Sequence, residues 1–253
     1  MIEKNEVILG FKKLGLQSGD IVLVHSSFKS FNGEISSPQK IIDALLEIVG
    51  EKGTVIFPAF NFDFSTHGKD FDIVKTPSQM GILSKFASTH YDSIRTIDPV
   101  YSFVVIGYMK NKLEKLITSH SYGSDSMFAK IREYDGKIMC IGVENYNEWM
   151  TFFHYVEEMQ KVPYRSFKEF SGNIIDRNGM GKKTKLVLYV RNLSKGVETE
   201  LNLMGNILEN EKIIKIGNIG SSKIRFMSSR EVYDRTVKEI NLNQNILCTF
   251  SKQ

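Results

Sequence analysis

Gly19-Asp-Ile-Val-Leu-Val-His-Ser-Ser27 is the stretch on which the fold class turns. Its four apolar residues, 21–24, are bounded by Asp20 and His25, the pattern of a short strand buried on both faces. Downstream, Ser37-Pro38 opens a helix, because serine caps well and proline suits the first helical position. Ile41, Ile42, Leu45, Leu46 and Val49 fall on one face of it, and Gly50 closes it. Residues 53–57 read as a second buried strand, and residues 6–16 upstream as a helix built on Val7, Ile8, Phe11 and Leu14. Helix and strand in alternation predict an α/β fold, a mixed central sheet flanked by helices.

Further along, 102–106 and 137–142 read as strands, and 79–88, 110–118 and 147–161 as helices. The last of these is predicted to be capped by Asn147 and to stop before Pro163. Residues 61–77 show no period and read as a long loop, a feature that is often functional. From 182 to 191 the residues alternate in polarity, giving a half-exposed strand that Asn178-Gly179 could turn into a hairpin. Short strands at 213–216 and 224–227 and a helix over 230–240 complete a β-rich C-terminal part. A single domain over 1–253 is expected, with a change of subdomain near 161–165 and no linker to mark it.

A chain of 253 residues can bury a large core without disulfides. Its 25% charged and 11% aromatic residues exclude disordered and collagen-like classes. Two cysteines outside any CxxC pair exclude a zinc ribbon or thioredoxin-type site and fit a reducing compartment. The longest apolar run, 103–109, is far short of the ~20 residues of a membrane helix. Residues 1–10 lack the apolar centre of a signal peptide. A soluble, cytoplasmic protein with no membrane insertion is expected. The net charge of +4 is uneven: residues 1–160 carry −4 and residues 161–253 carry +8. Such a segment suits an anionic partner, a nucleotide or a phosphorylated cofactor, and a solvated basic surface explains it equally well. Nucleic acid is not expected, since no RNA-binding signature or long Lys/Arg block is present.

Three constellations can carry chemistry. In Phe152-Phe-His-Tyr-Val-Glu-Glu158, helical spacing puts both Glu157 and Glu158 within reach of His154. A carboxylate beside an imidazole fixes its tautomer and raises its basicity, as a general base requires. A surface His–Glu pair is the commoner origin of this pattern. With no second histidine it is not a zinc motif, and no metal is expected. In His25-Ser-Ser-Phe-Lys-Ser-Phe-Asn-Gly33, polar groups follow a buried strand, where α/β sheets place their ligand crevice. An ordinary polar loop reads the same way. In Arg95-Thr-Ile-Asp-Pro-Val-Tyr-Ser102, Arg95 and Asp98 could brace a site, although a structural ion pair is the commoner cause. Cys140 lies in an apolar run and reads as inert packing.

Taken in order, these segments resemble the antibiotic N-acetyltransferase family, the fold of the aminoglycoside 3-N-acetyltransferases. Gly19 to Ser27 resembles its D-x-x-x-V-H-S-S segment, and Gly53-Thr-Val-Ile-Phe-Pro58 its G-T-L-x-x-P. Arg95 to Ser102 resembles R-S/T-x-H-P-x-x-S, and Asp135-Gly-Lys-Ile-Met-Cys-Ile-Gly-Val143 resembles D-G-K-V-L-L-L-G-V. Thr151-Phe-Phe-His-Tyr-Val-Glu157 resembles T-x-x-H-x-x-E. Ile216-Gly-Asn-Ile-Gly220 and Phe226-Met-Ser-Ser-Arg230 resemble the closing segment, so the likeness covers most of residues 15–240.

The resemblance implies acetyl transfer from acetyl-CoA to a sugar amine, with His154 as base and Glu157 orienting it. It implies that His25, Ser26, Ser27 and Ser102 lie near CoA, with Lys29 and Arg95 offered to its phosphates. Ser102 or a backbone N–H of residues 25–27 is the expected oxyanion donor. Asp98 stands where antibiotic-modifying members have histidine, and Met127 follows Ser126 where proline is usual. These departures resemble members associated with surface-polysaccharide synthesis. The expected acceptor is therefore a nucleotide-linked amino deoxysugar, dTDP-linked, with Asp63, Asp98 and Glu158 as acceptor contacts. The alternative acceptor is an aminoglycoside antibiotic, for which Asp63, Asp70 and Asp72 offer an acidic loop. A hydrolase using Ser26 or Ser27 is a rival without the G-x-S-x-G elbow. A homo-oligomer is left open.

Overall fold

The computed structural model describes residues 1–251. Three strands form the parallel centre of the molecule: β1 (Ile21–Ser26), β2 (Thr54–Pro58) and β6 (Lys137–Ile141), with β1 between the other two. Antiparallel strands extend both sides: β5 (Phe103–Gly107) and β4 (Ser93–Arg95) beyond β2, and β11 (Ser222–Ser228) and β10 (Lys215–Ile219) beyond β6. The resulting seven-stranded mixed sheet has the order β10-β11-β6-β1-β2-β5-β4.

Alternation along the strands sends successive side chains to opposite faces. Val22, Val24, Val55, Phe57, Met139 and Ile141 pack under α1 (Lys4–Leu14), α2 (Pro38–Val49) and α4 (Ile82–Ser88). Leu23, Ile56, Ile138 and Cys140 face the other way, toward α6 (Met127–Glu133), α7 (Phe152–Gln160), α8 (Asn202–Asn210) and α9 (Ser229–Leu242). Burying a side chain of this size contributes ~1.5–3 kcal/mol, so the two clusters hold the three layers together. Ser37 Oγ accepts from Gln39 N at 3.2 Å, the cap expected of α2.

The C-terminal third opens with a long antiparallel hairpin, β7 (Arg165–Ile175) and β8 (Gly181–Arg191), joined on its edge by β3 (Phe71–Asp72). A third core of Phe64, Phe71, Val100, Leu186 and Leu188 fastens this hairpin to the main body. The chain then returns to the main layers through α8, β10, β11 and α9, while β9 (Val197–Thr199) pairs with β12 (Cys248–Phe250). Among the described residues no helix is long and apolar enough to cross a membrane.

Several boundaries differ from the sequence reading. The supposed loop 61–77 contains a short helix, α3 (Asp63–His67), and β3. Residues 110–118 give only the short α5 (Lys110–Glu114). Helix α7 begins at Phe152, because Asn147 does not cap it: its Oδ1 instead accepts from Leu201 N at 2.6 Å, fastening the entry to α8. Helix α8 was missed by the sequence reading although Leu203, Met204, Ile207 and Leu208 recur at helical spacing; Gly205 lies within it against the ring of Tyr146.

Candidate active site

Helix α7 leaves its C-terminus at Lys161 in the left-handed conformation, which turns the chain directly into β7. That tight corner brings Arg165 back against the helix. His154 Nδ1 lies 2.6 Å from Glu157 Oε2, as the three-residue spacing predicted. Arg165 Nε lies 2.9 Å from the same oxygen, and its Nη2 lies 3.0 Å from His154 Nδ1. Tyr164 Oη donates to Glu157 Oε1 at 2.8 Å, and Arg165 Nη1 donates to Tyr189 O at 3.0 Å. Glu157 is fully buried, so its contacts with His154, Arg165 and Tyr164 are little screened by solvent.

Two donors, Arg165 and a protonated Nδ1, face one carboxylate oxygen. The shorter bond assigns the proton to His154 Nδ1, donating to Glu157, and leaves Nε2 unprotonated. Burial, then the charge of Arg165, pushes the imidazole below its ordinary titration range, against the pull of Glu157. Burial alone would raise the Glu157 carboxyl, but Arg165 and His154 outweigh it and hold it below the usual carboxylate range. The pair is thus a neutral imidazole on an ionised carboxylate, the state a general base needs.

His154 opens onto a cavity of about 1000 Å³ between α7, the base of the β7–β8 hairpin and α3. Tyr101 and Tyr122 line it beside the imidazole, with the Tyr122 ring 5.5 Å from that of His154 and 4.8 Å from that of Tyr101. Arg191 and Lys168 stand in the same wall, with Glu198 as its one carboxylate.

A second cavity, of about 550 Å³, lies at the carboxyl ends of β1, β2 and β6. It gathers His25, Ser26, Ser27 and Lys29 from one loop, Gly142 to Asn145 from another, and Trp149. Gly142 has φ +68° and a Cβ there would lie 1.8 Å from Ser30 Oγ, so only glycine lets the two loops meet. His25 is buried with its Nε2 unpartnered, as is Trp149 Nε1, and the two rings lie 5.9 Å apart. Burial pulls the His25 imidazole down to about 3, so it stays neutral and offers hydrogen bonds rather than charge.

The structure does not bring the remaining candidates to these walls. Arg95 is turned inward: Nε donates to Ser102 Oγ at 3.0 Å, Nη2 to Ala59 O at 2.8 Å and Nη1 to Thr76 O, and the guanidinium stacks on Phe71. As placed, it ties the segment after β2 to the loop after β3 and is not offered to a CoA phosphate. Ser102 is fully buried and donates to Ala59 O at 2.8 Å, which removes it as an oxyanion donor. The backbone N–H of Ser27 is likewise taken, by Ile141 O at 2.7 Å. Asp98 forms no ion pair with Arg95. It accepts from the backbone of Val100 at 2.8 Å and Tyr101 at 2.7 Å, closing the turn that presents Tyr101. Asp63 spends its carboxylate on Lys69 at 2.8 Å and Gln79 at 3.1 Å and does not line the large cavity. Glu158 points away from His154 and meets His120 Nδ1 at 3.1 Å. Cys140 is buried, and burial pushes its thiol up to about 12.

Arg165, Tyr164 and Tyr122 were missed by the sequence reading. Arg165 follows Pro163 at the start of a strand, and no spacing rule ties it to a histidine eleven residues back on a helix.

The family model described as aminoglycoside 3-N-acetyltransferase matches residues 23–241. An SPbeta prophage-derived aminoglycoside N(3')-acetyltransferase-like protein of Bacillus subtilis is 26% identical over 91% of this chain and 89% of its own length. Aminoglycoside N(3)-acetyltransferase IV of a Salmonella species is 28% identical over 64% of this chain and 60% of its own length. The solved structure of AAC-IIIb binary with CoASH superposes with a TM-score of 0.81 at 19% identity, over 95% of this chain and 97% of that one. The family description and the names of the two relatives speak of aminoglycosides, and none speaks of a nucleotide-linked sugar. Matched over most of its length, the chain belongs to the aminoglycoside 3-N-acetyltransferase family and is an acetyltransferase of that family.

Proposed function

We propose that this chain transfers the acetyl group of acetyl-CoA to an amine of an aminoglycoside-type amino sugar, with His154 as general base. The observation that carries this is the bond of 2.6 Å from the buried Glu157 to Nδ1 of His154, whose imidazole lines the large cavity. The relatives, which are named for aminoglycosides, support the acceptor class.

His154 Nε2 takes a proton from the acceptor amine as its nitrogen attacks the thioester carbonyl. The C–S bond then breaks, and the CoA thiolate leaves and recovers that proton. Glu157 steadies the imidazolium formed meanwhile, and Arg165 keeps Glu157 ionised. Tyr122 and Tyr101, which line the cavity beside His154, stand in place of Ser102 as the proposed oxyanion donors. The second cavity fits the acyl donor. The unpartnered His25 Nε2 and Trp149 Nε1 suit pantetheine amides, and Ser26, Ser27 and Lys29 line the same crevice at the carboxyl ends of parallel strands.

Incubation with acetyl-CoA and a panel of aminoglycosides, scored for thiol release, tests the reading. Amine-dependent release that His154→Ala lowers ~10²–10⁴-fold supports it. Release within about threefold of wild type in that variant removes His154 from the mechanism. A second reading, a nucleotide-linked amino deoxysugar as acceptor, is favoured by one observation: Lys168 and Arg191 outnumber Glu198 in the wall beside His154. Comparison of kcat/KM for gentamicin-type amines and dTDP-amino sugars at matched ionic strength decides between the two.

A further inference from the structure

We infer that Arg191, assisted by Lys168, forms a phosphate-binding subsite in the wall of the large cavity, taking a phosphate ester carried by one of the two substrates of the transfer. The inference rests on the acetyl-transfer reading for the identity of those substrates.

Arg191 ends β8, and its cross-strand partner in the hairpin register is Arg165. Two like charges directly opposite one another in a sheet repel unless each has a counter-ion. Arg165 has one, Glu157, at 2.9 Å. The Arg191 side chain has no ion pair and no hydrogen bond among the described residues, although it is half-buried in the cavity wall. Its charge reaches the reacting centre, acting on both His154 and Tyr101. Lys168, from the opposite strand, is also without a carboxylate partner among the described residues and lies over the Phe170 ring.

Further polar groups line the same cavity. Ser166 and Asn192 bring neutral donors to the same wall, and Glu198 is the one opposing charge. An arginine fork grips phosphate oxygens through two parallel N–H bonds, and a lysine lining the same cavity adds a point charge.

The subsite is tested by binding, without turnover. Inorganic pyrophosphate is titrated calorimetrically into wild type, Arg191→Gln, Arg191→Lys and Lys168→Gln, each checked for an unchanged melting temperature. Losing a charge-assisted bond should weaken binding about tenfold or more in Arg191→Gln, less in Lys168→Gln, with partial recovery in Arg191→Lys. Raised salt should weaken the wild type toward the glutamine variant. Two further titrations assign the phosphate. If Arg191→Gln weakens CoA, the phosphate is the donor's. If CoA stays within about twofold while the preference for glucosamine 1-phosphate over glucosamine disappears, it is the acceptor's. Pyrophosphate, CoA and glucosamine 1-phosphate all bound within about twofold of wild type by Arg191→Gln would overturn the subsite. A wild type that binds pyrophosphate and acetylates no amine would instead refute the proposed activity and leave the subsite standing.

Discussion

Replacing Arg165 with methionine should move the acid limb of the pH–rate profile upward. The guanidinium Nη2 is 3.0 Å from His154 Nδ1, so it opposes protonation of the imidazole at close range. Two unit charges ~4 Å apart interact by about 4 kcal/mol at an effective dielectric near 20, and each ~1.4 kcal/mol is one pH unit of titration. That sets a ceiling of about three pH units. Part of it is lost to water entering the space and to Glu157, whose own ionisation weakens once Arg165 is gone. An upward move of about one pH unit or more is expected in kcat/KM, measured from pH 5 to 9 with acetyl-CoA saturating. The sign follows from the base: His154 works only when neutral, so a raised titration removes activity at the acid end. Breaking a buried ion pair also costs ~3–5 kcal/mol of stability, so Arg165→Lys, which keeps the charge, is the control. Its limb should stay near that of wild type although its rate falls. An acid limb in Arg165→Met that stays put, or moves down, would refute the account of how this arginine acts.

Glu157→Gln should lower kcat ~10-fold or more, because a buried amide cannot steady the imidazolium, whereas Glu158→Gln should leave kcat within about twofold, since its partner is His120. The reverse order in steady-state assays would show that the wrong carboxylate has been paired with His154. Cys140→Ser should keep most activity, and intact-mass spectrometry with acetyl-CoA alone should show no added acetyl group, because burial holds the thiol protonated. An acetylated enzyme that loses its acetyl group on adding amine would mean a covalent route. His25 titrates near 6.5 when unfolded and about 3 when folded, so the native state is disfavoured progressively as pH falls from 6.5 toward 3 and is unaffected above that window. Unfolding free energies from urea titrations should fall by more between pH 7.5 and pH 4.5 in wild type than in His25→Asn, by about 3 kcal/mol, since two of the three pH units lie below 6.5 and each is worth ~1.4 kcal/mol. Equal falls in both would mean that His25 protonates freely in the folded protein.

How much of this was readable beforehand depends on how local each feature is. Strands β1, β2 and β6 and helix α2 announce themselves, because a strand buried on both faces must be apolar throughout and a helix on a sheet must show one apolar stripe. His154 and Glu157 could be paired from the chain alone, since helical geometry brings residues three apart together whatever surrounds them. The same rule offered Glu158 equally, and only packing chose between them, by setting His120 opposite one carboxylate and Arg165 opposite the other. Arg95, Ser102 and Asp98 show the opposite outcome. Their residue types suit ligand binding, but the carbonyls of Ala59 and Thr76 and the amides of Val100 and Tyr101 consume them. Those partners come from loops whose meeting has no period to report it. Composition likewise revealed an excess of cations in the last 93 residues, but not where they stand. The hairpin register sets Arg191 against Arg165 at the cavity, because a cross-strand neighbour is chosen by the turn and the core beneath it, not by the residues that end up facing each other.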